Sequence, residues 1–212
     1  MAGRMSCSFE VTPKIRRTID STLNDDTIMG HIEEQEKNFQ WPYLDSEQRV
    51  TVGIGKMLPD IEAAKKLPFK YESSLGKRPA TENEIQEGFN ALTKLGNSRN
   101  LAAEHYKSET KLRLNPNDAR QLAKEYLQEN NRNLRNRISD FDTLPGEVKL
   151  GLYDMNYLLG NNGLSPSKWP KLYEAINNKD WAAAAKESQR EGIGTERNER
   201  IRHLFLAPLK QK

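Results

Sequence analysis

Glu36, Asp45 and Thr51 are the side chains in this sequence whose types and spacing point most directly to chemistry. Glu36 falls four residues after Ile32 and eight after Ile28, with Phe39 three further on, which puts it on the apolar stripe of a helix expected over 27–39. A carboxyl in partly apolar surroundings favours its protonated form, the state a general acid needs near neutral pH. On helix position alone, a solvated end to the run Glu33-Glu34-Gln35-Glu36 is the commoner reading. Asp45 follows nine residues later, in a turn between Tyr43-Leu44 and Ser46-Glu47. Two carboxyls, one donating a proton and one orienting a water, are the minimal apparatus for hydrolysing a glycosidic bond with inversion. Taken singly, Asp45 reads as a turn aspartate and Thr51 as a strand former. Taken together, the Thr51 hydroxyl could help Asp45 hold the attacking water. Gly53 and Gly55 fit bends in the chain or a close approach of a sugar chain to the backbone.

Elements able to position these groups are legible around them. Asn24, Asp25, Asp26 and Thr27 offer N-cap side chains ahead of Ile28, Met29 and Ile32. Pro42 forces extended backbone before it, and Val50-Thr51-Val52-Gly53-Ile54-Gly55 reads as strand, so 41–56 is expected to be a small hairpin. From Pro59 onward the signals are helical. Ile85, Phe89, Leu92 and Leu95 follow a cap at Thr81, and Leu122, Tyr126, Leu127, Leu134 and Ile138 follow Asn117, which predicts a long helix near 116–138. Leu144-Pro145 opens a helix apolar on all sides through Leu159, expected to be the buried centre of the larger lobe. It stops at Gly160-Asn161-Asn162-Gly163, and shorter helices are expected near 169–176, 181–187 and 195–205. A short helix through Ile15 and Ile19 would sit in a polar N-terminal extension.

Composition narrows the class. The 212 residues are 35% hydrophobic and 30% charged, within the range of a folded protein with one good core or two small lobes. Lys and Arg number 33 against 30 Asp and Glu, a balance far from that of a basic nucleic-acid tail. A single cysteine, Cys7, forbids an intramolecular disulfide and points to folding in a reducing compartment. No apolar run of signal-peptide or membrane-span length occurs near the start, so the expectation is synthesis in the cytoplasm without a signal and no membrane span.

The stretch from Glu36 to Gly55 resembles the active-site segment of the phage-type lysozymes, glycoside hydrolase family 24. In that family a helix glutamate is followed nine residues on by the aspartate of a Tyr-x-Asp turn, here Tyr43-Leu44-Asp45. Six residues further comes the threonine of a motif Thr, Ile or Val, Gly, Ile or Tyr, Gly, here Thr51-Val52-Gly53-Ile54-Gly55. The resemblance returns at Leu152-Tyr153-Asp154-Met155-Asn156-Tyr157-Leu158-Leu159-Gly160, at Asp180-Trp181-Ala182-Ala183-Ala184 and at Arg197-Asn198-Glu199-Arg200. It implies a mainly α (α+β), two-lobe lysozyme-like fold, with a small β-hairpin lobe and a larger helical lobe joined by a long helix. The implied boundaries are an extension over 1–27, a muramidase domain over 28–207 and a tail over 208–212. The small lobe covers about 40–115; the helical lobe covers about 116–207 plus the first helix, with the substrate cleft between the lobes.

By the same resemblance Glu36, Asp45 and Thr51 are catalytic and Arg197 pairs with the catalytic glutamate. Met57 and Tyr157 line sugar subsites, with Gly53 and Gly55 beside them, and neither cofactor nor metal is required. Packing alone would also account for Met57 and Tyr157, and a plain surface role for Arg197. Two departures stand out. Residues 60–115 match poorly and form a longer middle region, an enlarged small lobe or lid, and Lys56 stands where the phage enzymes usually carry histidine.

The expected function is a lysozyme cleaving the β-1,4 bond between N-acetylmuramic acid and N-acetylglucosamine in bacterial peptidoglycan. It would act as a monomer on the cell wall in the periplasm of a target or host cell. The motif set is shared by phage endolysins and by muramidase effectors of type VI secretion. The N-terminal extension and the long middle region favour the effector, for which an immunity protein and a secretion-machine carrier are the expected partners. Two rival readings compete. One is a peptidoglycan-binding protein of lysozyme fold without turnover; the other, nucleic-acid binding through Arg132, Arg135 and Arg137, is disfavoured by the nearly equal number of acidic residues.

Overall fold

The structure is a computed structural model that describes residues 23–96 and 101–211. Cys7 and the short helix expected through Ile15 and Ile19 lie outside the described residues. The described chain is mainly α with two small antiparallel sheets of three strands each, an α+β fold. It divides into two compact units. One is Glu33–Glu125; the other comprises the described residues up to Ile32 together with those from Tyr126 onward.

Helix α1 spans Asp25–Gln35, shorter than the 27–39 expected. Asn24 is its cap, accepting a hydrogen bond from the Thr27 amide at 2.9 Å. Ile28, Met29 and Ile32 are buried as their spacing predicts, but Phe39 is not on the helix. It opens strand β1, Phe39–Leu44, because Phe39-Gln40-Trp41 and Pro42 suit extended backbone and find a partner strand.

In the unit 33–125, β1 pairs antiparallel with β2, Val50–Gly53, and β2 with β3, Lys56–Met57. The expected hairpin is therefore a three-stranded sheet. Leu44, Val50 and Val52 bury one face of it in a core with Leu58, Phe69 and Leu92. Each such side chain contributes about 1.5–3 kcal/mol by leaving water. Helix α2, Ile61–Lys65, is capped by Asp60, and α3, Glu82–Gly96, starts at a reciprocal capping box. There the Thr81 hydroxyl accepts from the Glu84 amide while the Glu84 carboxylate accepts from the Thr81 amide at 2.9 Å.

The helical expectation from Pro59 onward is overturned by a second sheet, formed by β4, Lys70–Ser73, β5, Gly76–Pro79, and β6, Leu112–Arg113, in the order β5-β4-β6. Every residue of β5 is exposed, so the hydrophobic alternation that announces a strand is missing. A short helix α4, Tyr106–Glu109, precedes β6.

The long helix α5, Pro116–Arg137, lies where it was expected; its first half belongs to the unit 33–125 and its second half to the other. Its cap is Asn115 rather than Asn117, for the Asn115 side chain accepts from the Asn117 amide at 2.9 Å and Pro116 takes the first helical position. In the second unit, α6 spans Gly146–Leu159 and buries residues all round, ending at Gly160 with φ +72°. Helices α7, Pro170–Asn177, α8, Trp181–Glu187, and α9, Thr195–Leu206, follow as anticipated. Helix α9 packs on α6 closely enough that a Cβ at Gly151 would lie 3.3 Å from the Phe205 ring.

Candidate functional site

Within the unit 33–125 the local folding brings Glu36, Asp45 and Thr51 onto one short stretch of connected structure. Glu36 is the first residue after α1, half-buried at a bend that leads into β1. It therefore lies just beyond the helix rather than on its apolar stripe. Asp45 follows β1 directly, and its loop is held by three hydrogen bonds to its carboxylate. Oδ1 accepts from the amides of Glu47 at 2.9 Å and Arg49 at 3.0 Å, and Oδ2 accepts from Arg49 Nε at 2.9 Å. The backbone closes around it, with the Asp45 amide donating to the Arg49 carbonyl and Gln48 at φ +61°.

Thr51 sits directly opposite Tyr43 across β1–β2, with Met57 opposite it on the other side in β3. Leu44 pairs with Val50, and the Asp45–Arg49 bond continues the ladder by one step. Tyr43, Asp45, Arg49 and Thr51 therefore share a face of the hairpin, because side chains alternate along each strand. Asp45 and Thr51 are diagonal neighbours on that face, about 7 Å apart at their Cβ atoms. The Thr51 hydroxyl donates to the Arg49 carbonyl at 3.3 Å, and Thr51 is buried.

Tyr43 links the two carboxylates electrostatically. Its phenol is pushed well above its ordinary pKa, first by burial and then by the negative charges of Glu36 and of Asp45. The Tyr43 ring also meets Phe39 edge-on, with centroids 5.0 Å apart.

Gly53 and Gly55 both have positive φ, +66° and +73°. At Gly53 the missing side chain has a local cause, since a Cβ would stand 2.9 Å from the Cβ of Ala119 on α5. Met57 is exposed, and Lys56 lies in β3 beside it.

In the other unit, Tyr157 is buried and packs edge-on against Tyr126 at 5.2 Å between centroids. Arg197, on the first turn of α9, donates from Nε to Asp154 Oδ1 at 3.2 Å and from Nη2 to Oδ2 at 3.4 Å.

Asp154 is the residue that sequence reasoning passed over. It is fully buried in the middle of α6, where it accepts from Arg190 Nη1 at 3.2 Å and from Arg197, and where His31 Nε2 stands 3.3 Å from Oδ2 without hydrogen-bond geometry. Arg190 is braced separately by Asn198, whose Oδ1 accepts from Arg190 Nε at 3.1 Å and whose Nδ2 donates to the Arg190 carbonyl at 2.8 Å. Burial alone would raise the Asp154 pKa, but His31, Arg197 and Arg190 outweigh it and hold the carboxyl at about 2. The available signal was a carboxyl in the midst of a predominantly apolar helix, where a buried charge has to find a partner.

Among the described residues no helix is long and apolar enough to cross a membrane, and no group of three or more His, Cys, Asp or Glu side chains is placed to hold a metal ion. No protein-family model matches the chain, and a search of curated proteins finds no match to it.

Proposed function

We propose that the chain is a muramidase that hydrolyses the N-acetylmuramic acid to N-acetylglucosamine bond of bacterial peptidoglycan, with Glu36 as general acid. The observation that carries this reading is the pair of carboxylates, one after a helix and one in a rigid hairpin turn, both acting on Tyr43 and flanked by Thr51. Glu36 gives its proton to the oxygen leaving the muramic acid. The second lone pair of the Asp45 Oδ2 accepts a proton from the attacking water. The Thr51 hydroxyl, whose own hydrogen is committed to the Arg49 carbonyl, can only accept. It accepts a hydrogen bond from the other hydrogen of that water, which stays on the oxygen and becomes the product hydroxyl, and leaves a lone pair directed at the anomeric carbon. With water as nucleophile the configuration inverts.

The supporting roles of Arg197, Met57, Tyr157, Gly53 and Gly55 rest on the resemblance to the phage-type lysozymes, as do the lysozyme-like fold, the monomeric state and action in the periplasm. Within that family of activities we favour a secreted antibacterial effector over an endolysin. A second reading, peptidoglycan binding without turnover, draws on the use of Asp45 as a hairpin brace with both oxygens engaged. Purified peptidoglycan separates the two. The wild-type protein should clear a wall suspension while Glu36→Gln, folded, loses about 10² to 10⁴ in rate. Near-normal clearing by Glu36→Gln, or binding without clearing by the wild type, refutes the muramidase reading.

A further inference from the structure

We propose that Arg49 is a positioning residue for the attacking water: its guanidinium, locked by Glu47, fixes the Asp45 Oδ2 that receives the water's proton, while its carbonyl fixes the Thr51 hydroxyl. The inference rests on the muramidase reading and adds to it one residue through which Asp45 and Thr51 are oriented together.

Every contact involved lies within the β1–β2 hairpin. Arg49 meets Asp45 three times: its amide donates to Oδ1 at 3.0 Å, its Nε donates to Oδ2 at 2.9 Å, and its carbonyl accepts from the Asp45 amide at 3.0 Å. The same carbonyl accepts from the Thr51 hydroxyl at 3.3 Å, so one oxygen serves both residues with its two lone pairs. The guanidinium is also paired through Nη1 with Glu47 Oε2 at 2.8 Å. Asp45 and Glu47 thus take two different nitrogens of one planar fork, which is held at two points.

The turn does not need this side chain to close. The Asp45 amide on the Arg49 carbonyl, the Gln48 amide on the Asp45 carbonyl at 2.9 Å and the two amides on Oδ1 already hold it. Nor does the side chain add much stability, for Arg49 is 49% exposed and Glu47 68% exposed, and ion pairs so exposed contribute little. What the backbone bonds leave loose is the plane of the carboxylate. The last torsion of an aspartate has a broad range, and a group tethered by Oδ1 alone can tilt about that oxygen. Nε on Oδ2 removes this freedom and leaves a single lone-pair direction on Oδ2 for the water.

The test compares the full-length wild type with Arg49→Lys, Glu47→Ala and the double variant, by lysis rates over a range of peptidoglycan concentrations. Lysine keeps the positive charge but cannot give Asp45 and Glu47 separate nitrogens of a rigid fork. The kcat of Arg49→Lys should fall about tenfold, as for a misdirected reacting group, with KM within about twofold because no substrate contact is lost. Glu47→Ala should lower kcat by about two- to fivefold, the scale of an exposed ion pair, and cost nothing further in the Arg49→Lys background. Wild-type kcat in folded Arg49→Lys, whatever its melting temperature, or an equal cost of Glu47→Ala in both backgrounds overturns the proposal. A second readout does not depend on how lysine fits. In Arg49→Ala, added ethylguanidinium should restore part of the lost kcat by binding between Asp45 and Glu47, and ethylammonium should not; recovery with neither cation, or equally with both, overturns the role of the fork. An inert wild type, or an active Glu36→Gln, refutes the muramidase reading and this role with it; an inactive Glu36→Gln beside a fully active Arg49→Lys refutes only the role of Arg49.

Discussion

Gly53→Ala tests whether the strand that carries Thr51 is seated as described. Gly53 has φ +66°, and an added Cβ would stand 2.9 Å from the Ala119 Cβ and 3.4 Å from its Cα. Carbon atoms in ordinary contact are about 3.5–4.0 Å apart, so the new methyl meets helix α5 well inside that limit. The left-handed backbone costs about 1–2 kcal/mol for a residue with a side chain. Overpacking against α5 adds about 1–3 kcal/mol. The lower entropy of the unfolded alanine chain returns about 0.4–1 kcal/mol. The net expectation is a loss of about 2–3 kcal/mol, read as a lower urea midpoint with an unchanged slope. In an Ala119→Gly background the 2.9 Å contact is gone and only the milder 3.4 Å approach to the Cα remains, so Gly53→Ala should cost little more than the backbone share, about 1 kcal/mol. Because Gly53 is two residues from Thr51 on β2, lysis should fall in the single variant as well. A Gly53→Ala protein as stable as the wild type, or an equal cost in both backgrounds, would refute this seating of β2 on α5.

Three further predictions follow the electrostatics of the two units. The Tyr43 phenol should resist ionisation in alkali, and Glu36→Gln or Asp45→Asn should bring its pKa down by removing a like charge; a tyrosinate absorbance titration unchanged by either variant contradicts the placement of the carboxylates. Arg49→Ala removes one of the three hydrogen bonds to Asp45 and leaves the two backbone ones, so lysis should drop about tenfold with little change in melting temperature, if Asp45 orients the water. The Asp154 pKa of about 2 lies below its ordinary 3.8, so its contribution of about 2 kcal/mol is complete above that ordinary value and disappears as pH falls towards 2. Asp154→Asn should flatten that acid limb in urea unfolding followed against pH, and an unaltered limb would show that the depression does not originate there.

The sequence revealed the helices best where apolar residues are dense or evenly spaced and an end is marked by a cap or a glycine. The Thr81–Glu84 box, the apolar run from Val148 to Leu159 and the glycine at 160 each state their element locally. The end of α1 was misjudged because Phe39 continues the helical spacing of Ile28 and Ile32, yet pairing with β2 gives it more than the helix would. The β4–β5 hairpin was illegible because its side chains face solvent, and only the Ser73–Gly76 turn marks it. Asp45 and Thr51 could be assigned to a turn and a strand from residue types, but the shared face that unites them with Tyr43 depends on register, which is set by pairing across the loop. The His31, Asp154 and Arg197 cluster was out of reach for a different reason: its members are far apart in sequence and only tertiary packing brings them together.

The most direct measurement of the central claim is proton NMR of the sugars first released when the purified protein acts on peptidoglycan. Catalysis by Glu36 with a water held by Asp45 and Thr51 predicts new reducing ends on N-acetylmuramic acid, appearing initially as the α-anomer and absent with Glu36→Gln. Reducing ends on N-acetylglucosamine, or release that is undiminished in Glu36→Gln, would contradict the claim.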